Sequence, residues 1–317
     1  MSQTTTSKLS ETPPNLALQK RRRLDSQGFF AASFSRFFRD PLSVIALVIF
    51  VIITIISFSA PLIADNILHQ KRDTIDFDLL AQGFQPPVPP GTAGHSLGTD
   101  ELGRDMAMRL IYGGQVSLSV GFLTAFISIF MGTTLGLLAG FFGGIIDDLV
   151  NALVQIILNI PSLFLLIILS LIWKPDVISL SFIIGVISWV GATRIVRGSV
   201  LSLRNLDYVD AARVVGANNF RIILVHILPN VVSLMLVQAG FDVVGAMLSE
   251  AGLSYLGFGI SVPIPSWGNM LTDSQLYFTS APWMVYLPSV AIFITILCVY
   301  LAADGLRDAF DPRLKGR

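Results

Sequence analysis

Charge is what this sequence has least of. Only 13% of its 317 residues are Asp, Glu, Lys or Arg, while 53% are hydrophobic; soluble domains carry about 25% charged residues. That deficit, with several apolar runs near the ~20 residues that cross a bilayer, places the chain in a membrane. Net charge is zero, so no bulk attraction to nucleic acid is expected. The single cysteine, Cys298, lies in an apolar run and can form no intrachain disulfide.

Energy-converting chemistry is missing as well. The five lysines are Lys8, Lys20, Lys71, Lys174 and Lys315, and none follows a glycine. A GxxxxGK[ST] phosphate loop is therefore excluded, and with it an ATP site of that kind. His69, His95 and His226 lie far apart, and neither HExxH nor GxSxG occurs. Nothing favours an enzyme, a metal or a cofactor held by this chain.

What remains is an all-α, polytopic membrane protein with about six transmembrane helices, expected near 41–64, 116–146, 149–173, 177–192, 231–259 and 283–303. A polar tail precedes them, with a basic cluster at 20–23, and the first apolar run is too long for a signal h-region. Lysine and arginine set the orientation. With a cytoplasmic N-terminus, that side receives 16 of them and the other side 5, so both termini and the segment after the fourth helix are expected in the cytoplasm.

Several polar residues stand inside the apolar runs. Gly132, Gly136 and Gly140 recur every four residues, which suits close helix packing. Asn151, Gln155 and Asn159 share one face of the third helix and should avoid lipid. They either bond a neighbouring helix or line a polar path. Pro161 is expected to kink that helix. Asp242, near the middle of the fifth helix, costs about 2.5–3.5 kcal/mol to insert. It is either functional or a neutralised structural group. Glu250 is expected nearer the outer end, where insertion is cheaper.

The cytoplasmic segment YVDAARVVGANNFRIILVHILP (208–229) is too patterned for a plain connection. Asp207 can cap a short helix with Asp210 in its first turn. Gly216 suits a left-handed stop, Asn218 a second cap, and Pro229 an exit. Ala211 and Ala212 form a small-residue patch that another protein could approach. The segment is either a docking element or an interfacial hairpin.

The spacing Asp210-Ala211-Ala212, Gly216, Leu228-Pro229 resembles the E-A-A…G…I-x-L-P signature of bacterial ABC importer permeases. Two positions depart from it: Asp210 replaces the usual Glu, and His226 stands at the Ile position. HSLGTDELGRD (95–105), SEAGLSYLGFGI (249–260), PSWGNML (265–271) and DGLRDAFDPRL (304–314) are similar to the second permease subunit of dipeptide, oligopeptide and nickel importers.

The resemblance implies a type I (MetI-like) permease architecture in the bacterial inner membrane. Its parts would be a disordered cytoplasmic tail (1–35), a first helix with an outer loop (36–110) and a permease core (111–317) with a coupling loop at 193–230. It implies a second, homologous permease, two cytoplasmic ATPases that bind the ATP, and an extracytoplasmic binding protein. Asp210, Ala211, Ala212, Gly216, Leu228 and Pro229 would dock the ATPase. Asn151, Gln155, Asn159, Asp242, Glu250 and Trp267 are pathway or outer-gate candidates, Trp267 being alternatively an interfacial anchor. Peptides lead as substrate; nickel, glutathione and glycans are served by similar permeases. A proton-coupled secondary transporter using Asp242 or Glu250, and a membrane scaffold, are the competing readings.

Overall fold

The computed structural model describes residue 31 and residues 33–64, 74–77, 79, 83–272 and 274–310. The tail with its 20–23 cluster and the last basic residues, 311–317, lie outside them. Among the described residues there is no strand, only isolated bridges in the outer loop.

The helices are α1 (Pro41–Phe58), α2 (Ala60–Ile63), α3 (Met106–Phe142), α4 (Gly144–Asn159), α5 (Ser162–Ile172), α6 (Val177–Leu203), α7 (Asp207–Val214), α8 (Asn219–Arg221), α9 (Leu228–Tyr255) and α10 (Trp283–Phe310). Local chemistry sets many of their starts. Asp40 accepts from the Ser43 amide before Pro41, and Asp105 accepts from the Met108 amide at 2.8 Å. Asp176 and Ser179 form a reciprocal capping box ahead of α6.

The long α3 and α6 form the spine of the molecule. An added Cβ on Gly132, Gly136 or Gly140 would come within 2.5, 2.7 and 2.7 Å of Ala192, Val196 and Val200. The glycines thus serve close packing, as their spacing suggests. At the other end of the pair, the Thr124 hydroxyl donates to the Ser181 carbonyl at 3.2 Å. Both sets of contacts ascend together, so α3 and α6 run parallel.

Parallel neighbours require a connection that returns the full height of the bundle. α4 and α5 supply it, with a 90° bend between them. This replaces the single kinked helix expected over 149–173. Pro161 offers no amide, and Ile160 before it is extended (φ −99°, ψ 124°), so the break is complete. The bent pair makes the sixth crossing, and an even number returns both ends to one side. Accordingly Ser43, at the start of α1, donates to the Leu301 carbonyl near the end of α10 at 3.2 Å.

Other boundaries also move. α3 starts ten residues before the expected 116, because Asp105 caps it there. α6 runs to Leu203 rather than to 192, so the connection after it starts at Arg204 instead of 193. Arg194 and Arg197 looked like loop residues, but Val196 between them and Val200 beyond them are buried against the α3 glycines. α10 extends to Phe310.

The expected exit at Pro229 does not occur. The chain runs on as one helical stretch from Asn219 to Tyr255. A π-helical segment, Ile222–Ile227, precedes the proline, which falls in the first turn of α9. There its missing amide is tolerated, and the wider π turns supply the slack.

Candidate functional site

The most exposed apolar residues of the connecting segment gather around α7. The helix starts after Leu206, which is extended and offers no side-chain cap, so Asp207 is its first residue and not its cap. Asp207 and Asp210 sit at the positive end of the dipole and Arg213 in the last turn, each on its favourable side. Arg213 Nη1 also contacts Asp210 Oδ1 at 2.9 Å.

The stop is a Schellman motif. Ala217 N donates to the Ala212 carbonyl at 3.0 Å and Gly216 N to the Arg213 carbonyl at 2.9 Å. Gly216 has φ +85°, where any Cβ is strained, and a side chain there would meet nothing within 4 Å. Asn218 caps the following helix through the Arg221 amide at 2.8 Å, as its position suggests.

Asp207, Asp210, Ala211 and Val214 recur at the spacing of one helical face, and all four are exposed. Val214 is 88% exposed and Val215 87%. These two valines were not singled out from the sequence. Two adjacent β-branched residues closing a polar helix were the available signal. Phe220, just beyond, is exposed as well.

The opposite side of α7 is rooted. Val209 is fully buried among Leu137, Phe141, Val196, Val200, Ile222 and Ile227, where the ends of α3 and α6 meet the π segment. Arg204 Nη1 donates to the Gly140 and Phe141 carbonyls at 2.8 and 3.3 Å, closing the C-terminus of α3. The Arg213 guanidinium lies 5.9 Å from the Phe141 ring centre. Arg197 pairs with Asp147 of α4, its Nη2 at 2.6 Å. Tyr208 is half-buried beside His226, ring centres 6.4 Å apart, and burial pushes its phenol above the usual range. His226 therefore supports α7 from beneath.

Leu228 and Pro229 are not brought to the α7 face. They sit within the continuous helix, Leu228 half-buried and Pro229 exposed. The amides of α4 bond along their own helix: Asn151 Nδ2 to the Asp147 carbonyl at 2.8 Å and Asn159 Nδ2 to the Gln155 carbonyl at 2.7 Å. No hydrogen bond joins them to another helix among the described residues.

Asp242 accepts from Ser128 of α3 at 2.6 Å and from Gln238 at 2.7 Å, and stays half-buried. Glu250 reverses its expectation. It is only 1% exposed, which makes it the more deeply buried of the two acids. Ser117 and Ser254 donate to its two oxygens at 2.9 and 2.8 Å.

Trp267 is 2% exposed, neither an interfacial anchor nor a free contact for a partner. Its indole donates to the Leu110 carbonyl at 2.8 Å and its amide to Ser117 Oγ at 3.2 Å. The ring fills space left by Gly113 and Gly114 and pins the connection between α9 and α10 (256–282) to α3.

Two family descriptions match the sequence. "Binding-protein-dependent transport system inner membrane component" covers residues 132–316, and "N-terminal TM domain of oligopeptide transport permease C" covers 28–87. The oligopeptide transport system permease protein OppC of Haemophilus influenzae is 36% identical over 291 residues, covering 92% of this chain and 91% of that one. The dipeptide transport system permease protein DppC of Escherichia coli K12 is 42% identical over 282 residues, covering 88% and 91%. Among solved structures, an inward-facing MetNI methionine ABC transporter chain matches with a TM-score of 0.52 at 19% identity, over 64% of this chain and 97% of that one. That likeness is one of fold.

Proposed function

The chain belongs to the family of binding-protein-dependent transport system inner membrane components, and on that premise we propose that it carries di- or oligopeptides as one of two permeases in an ATP-driven importer. The second permease is a homologous subunit. Two ATPases dock on the cytoplasmic side, and an extracytoplasmic binding protein delivers the peptide. Both termini are cytoplasmic, on the side favoured by lysine and arginine.

One observation carries the reading: α7 presents a bare face on a rigid root. Val214 and Val215 are exposed at 88% and 87%, while Val209 is locked into the ends of α3 and α6. An exposed face of acidic and apolar side chains, rooted so that it cannot move independently, suits a partner that must push on the bundle. The missing phosphate loop is consistent with ATP being bound on another chain. Peptides are favoured as cargo because the relatives named above are oligopeptide and dipeptide permeases.

Affinity purification of the tagged chain from detergent tests this. A second permease and ATPase subunits should copurify. Val214→Asp should reduce ATPase retention at least about tenfold, the loss of one interface anchor of ~1.4 kcal/mol or more. A homo-oligomer that drives peptide uptake without an ATPase would overturn the reading.

A further inference from the structure

α6 and α9 each carry one face unlike the large apolar side chains they expose elsewhere, such as Ile178 and Phe182 of α6 and Leu234, Leu236 and Leu248 of α9. On α9 the face is Gln238, Asp242, Gly245, Ser249 and Gly252, all exposed or half-buried. Steps of three and four residues keep them on one side of the helix. On α6 it is Ser188, Gly191, Arg194, Gly198 and Ser202, likewise exposed or half-buried.

The two faces adjoin. A Cβ on Gly191 would have Gln238 Nε2 at 3.8 Å as its only neighbour within 4 Å. Side chains added at Gly198, Gly245 or Gly252 would meet nothing within that distance, so the surface beside the junction is open. Two charged residues of opposite sign lie on it. Asp242 is held by neutral donors, Ser128 and Gln238. Neither Asp242 nor Arg194 has an ion-pair partner among the described residues. Hydrocarbon would leave both charges without a counter-charge, so this face belongs against water, a polar cargo or the second permease.

The helices run in opposite directions here. Leu180 and Ile184 of α6 pack near Ala246 and Leu253 of α9, and Val196 and Val200 pack near Val231. Arg194 lies one turn beyond Gly191 on α6, and Asp242 one turn beyond Gln238 the opposite way. The two charged positions are therefore about 10 Å apart along the helix axes. An extended tripeptide covers about the same length.

We infer that Asp242 and Arg194 are the two charged poles of the permeation surface, Asp242 receiving the ammonium end of a zwitterionic peptide in transit and Arg194 its carboxylate. The peptide as cargo rests on the function proposed above. The charged, water-facing surface does not.

The test uses the assembled complex in proteoliposomes, with Cys298→Ser removing the native thiol. Single cysteines go in at Gly245, Ser249 and Gly198, and are titrated with a cationic trimethylammonium or an anionic sulfonate methanethiosulfonate. Cysteines at 245 and 249 should react faster with the cationic reagent, and Asp242→Asn should cut that preference about threefold or more. The cysteine at 198 should prefer the anionic reagent and lose the preference with Arg194→Gln. Either charge-removing variant should lower the maximal uptake rate of trialanine about fivefold, with an unchanged half-saturating concentration because capture occurs on another protein. Unreactive thiols, or rates indifferent to reagent charge, would overturn the inference. Charge-selective thiols in a complex that does not carry trialanine would support the charged poles and count against peptides as cargo.

Discussion

Glu250 depends on a short relay of hydroxyls. Ser117 donates to it while accepting the Trp267 amide, and Ser254 donates to its other oxygen while accepting the Ile260 amide. One buried carboxyl group thereby ties the α9–α10 connection to two spanning helices. Ser117→Ala removes one donor to the carboxyl and leaves the Trp267 amide without its hydroxyl acceptor, at about 1–3 kcal/mol for the stranded group. The melting temperature in detergent should fall clearly. Ser249→Ala is the control, since that hydroxyl bonds only the Gly245 carbonyl of its own helix. Equal melting of the two variants would refute the relay. The acid itself was visible in the sequence, but its cost was misjudged. Depth along a helix was read from position, whereas burial is decided by Ser117, 133 residues earlier in the chain.

At the scale of elements, the α3–α6 pair rests on glycine. A leucine at Gly136 would have to fit where even a Cβ comes within 2.7 Å of Val196 and 2.9 Å of the Thr193 carbonyl. Backbone cannot yield as a side-chain tip can, so the helices must part. Separation would also disturb Val200 and Val209, the root of α7. Gly136→Leu should therefore lower the yield of folded chain and, in what folds, weaken ATPase retention. The cost should be at least the ~1–3 kcal/mol of ordinary overpacking. Gly198→Leu, on the open face of α6, should spare folding. Normal assembly and retention with Gly136→Leu would contradict the packing argument. The cap at Asn218 is legible because it acts within three residues. The lengths of α3 and α6 are not, because each helix continues for as long as the other buries it.

For the whole molecule, the direction of the spine settles the count of crossings. By length and composition alone, five helices among the described residues qualify as spans, and α4 with α5 could be one broken span or a re-entrant loop. Parallel α3 and α6 leave only the crossing. A phosphatase reporter active only outside the cytoplasm, fused after Phe310, should be silent, and the same reporter inserted between Val262 and Pro263 should be active. A re-entrant α4–α5 would leave five crossings and put the N-terminus and the Phe310 fusion on opposite sides of the membrane.

The sequence by itself determined that this is a membrane protein, roughly where its chain crosses, and which family it belongs to. These are properties of composition, of local spacing and of motifs a few residues long, and they survive without knowledge of neighbours. Tertiary structure alone decided that the third crossing is two helices at a right angle, that Pro229 lies inside a helix, that Glu250 and Trp267 are interior, and that Val214 and Val215 are bare. Each of those depends on what packs against the residue. In a bilayer, where apolar surface is comfortable almost anywhere, close contact between small residues and satisfied polar groups fixes which face turns inward.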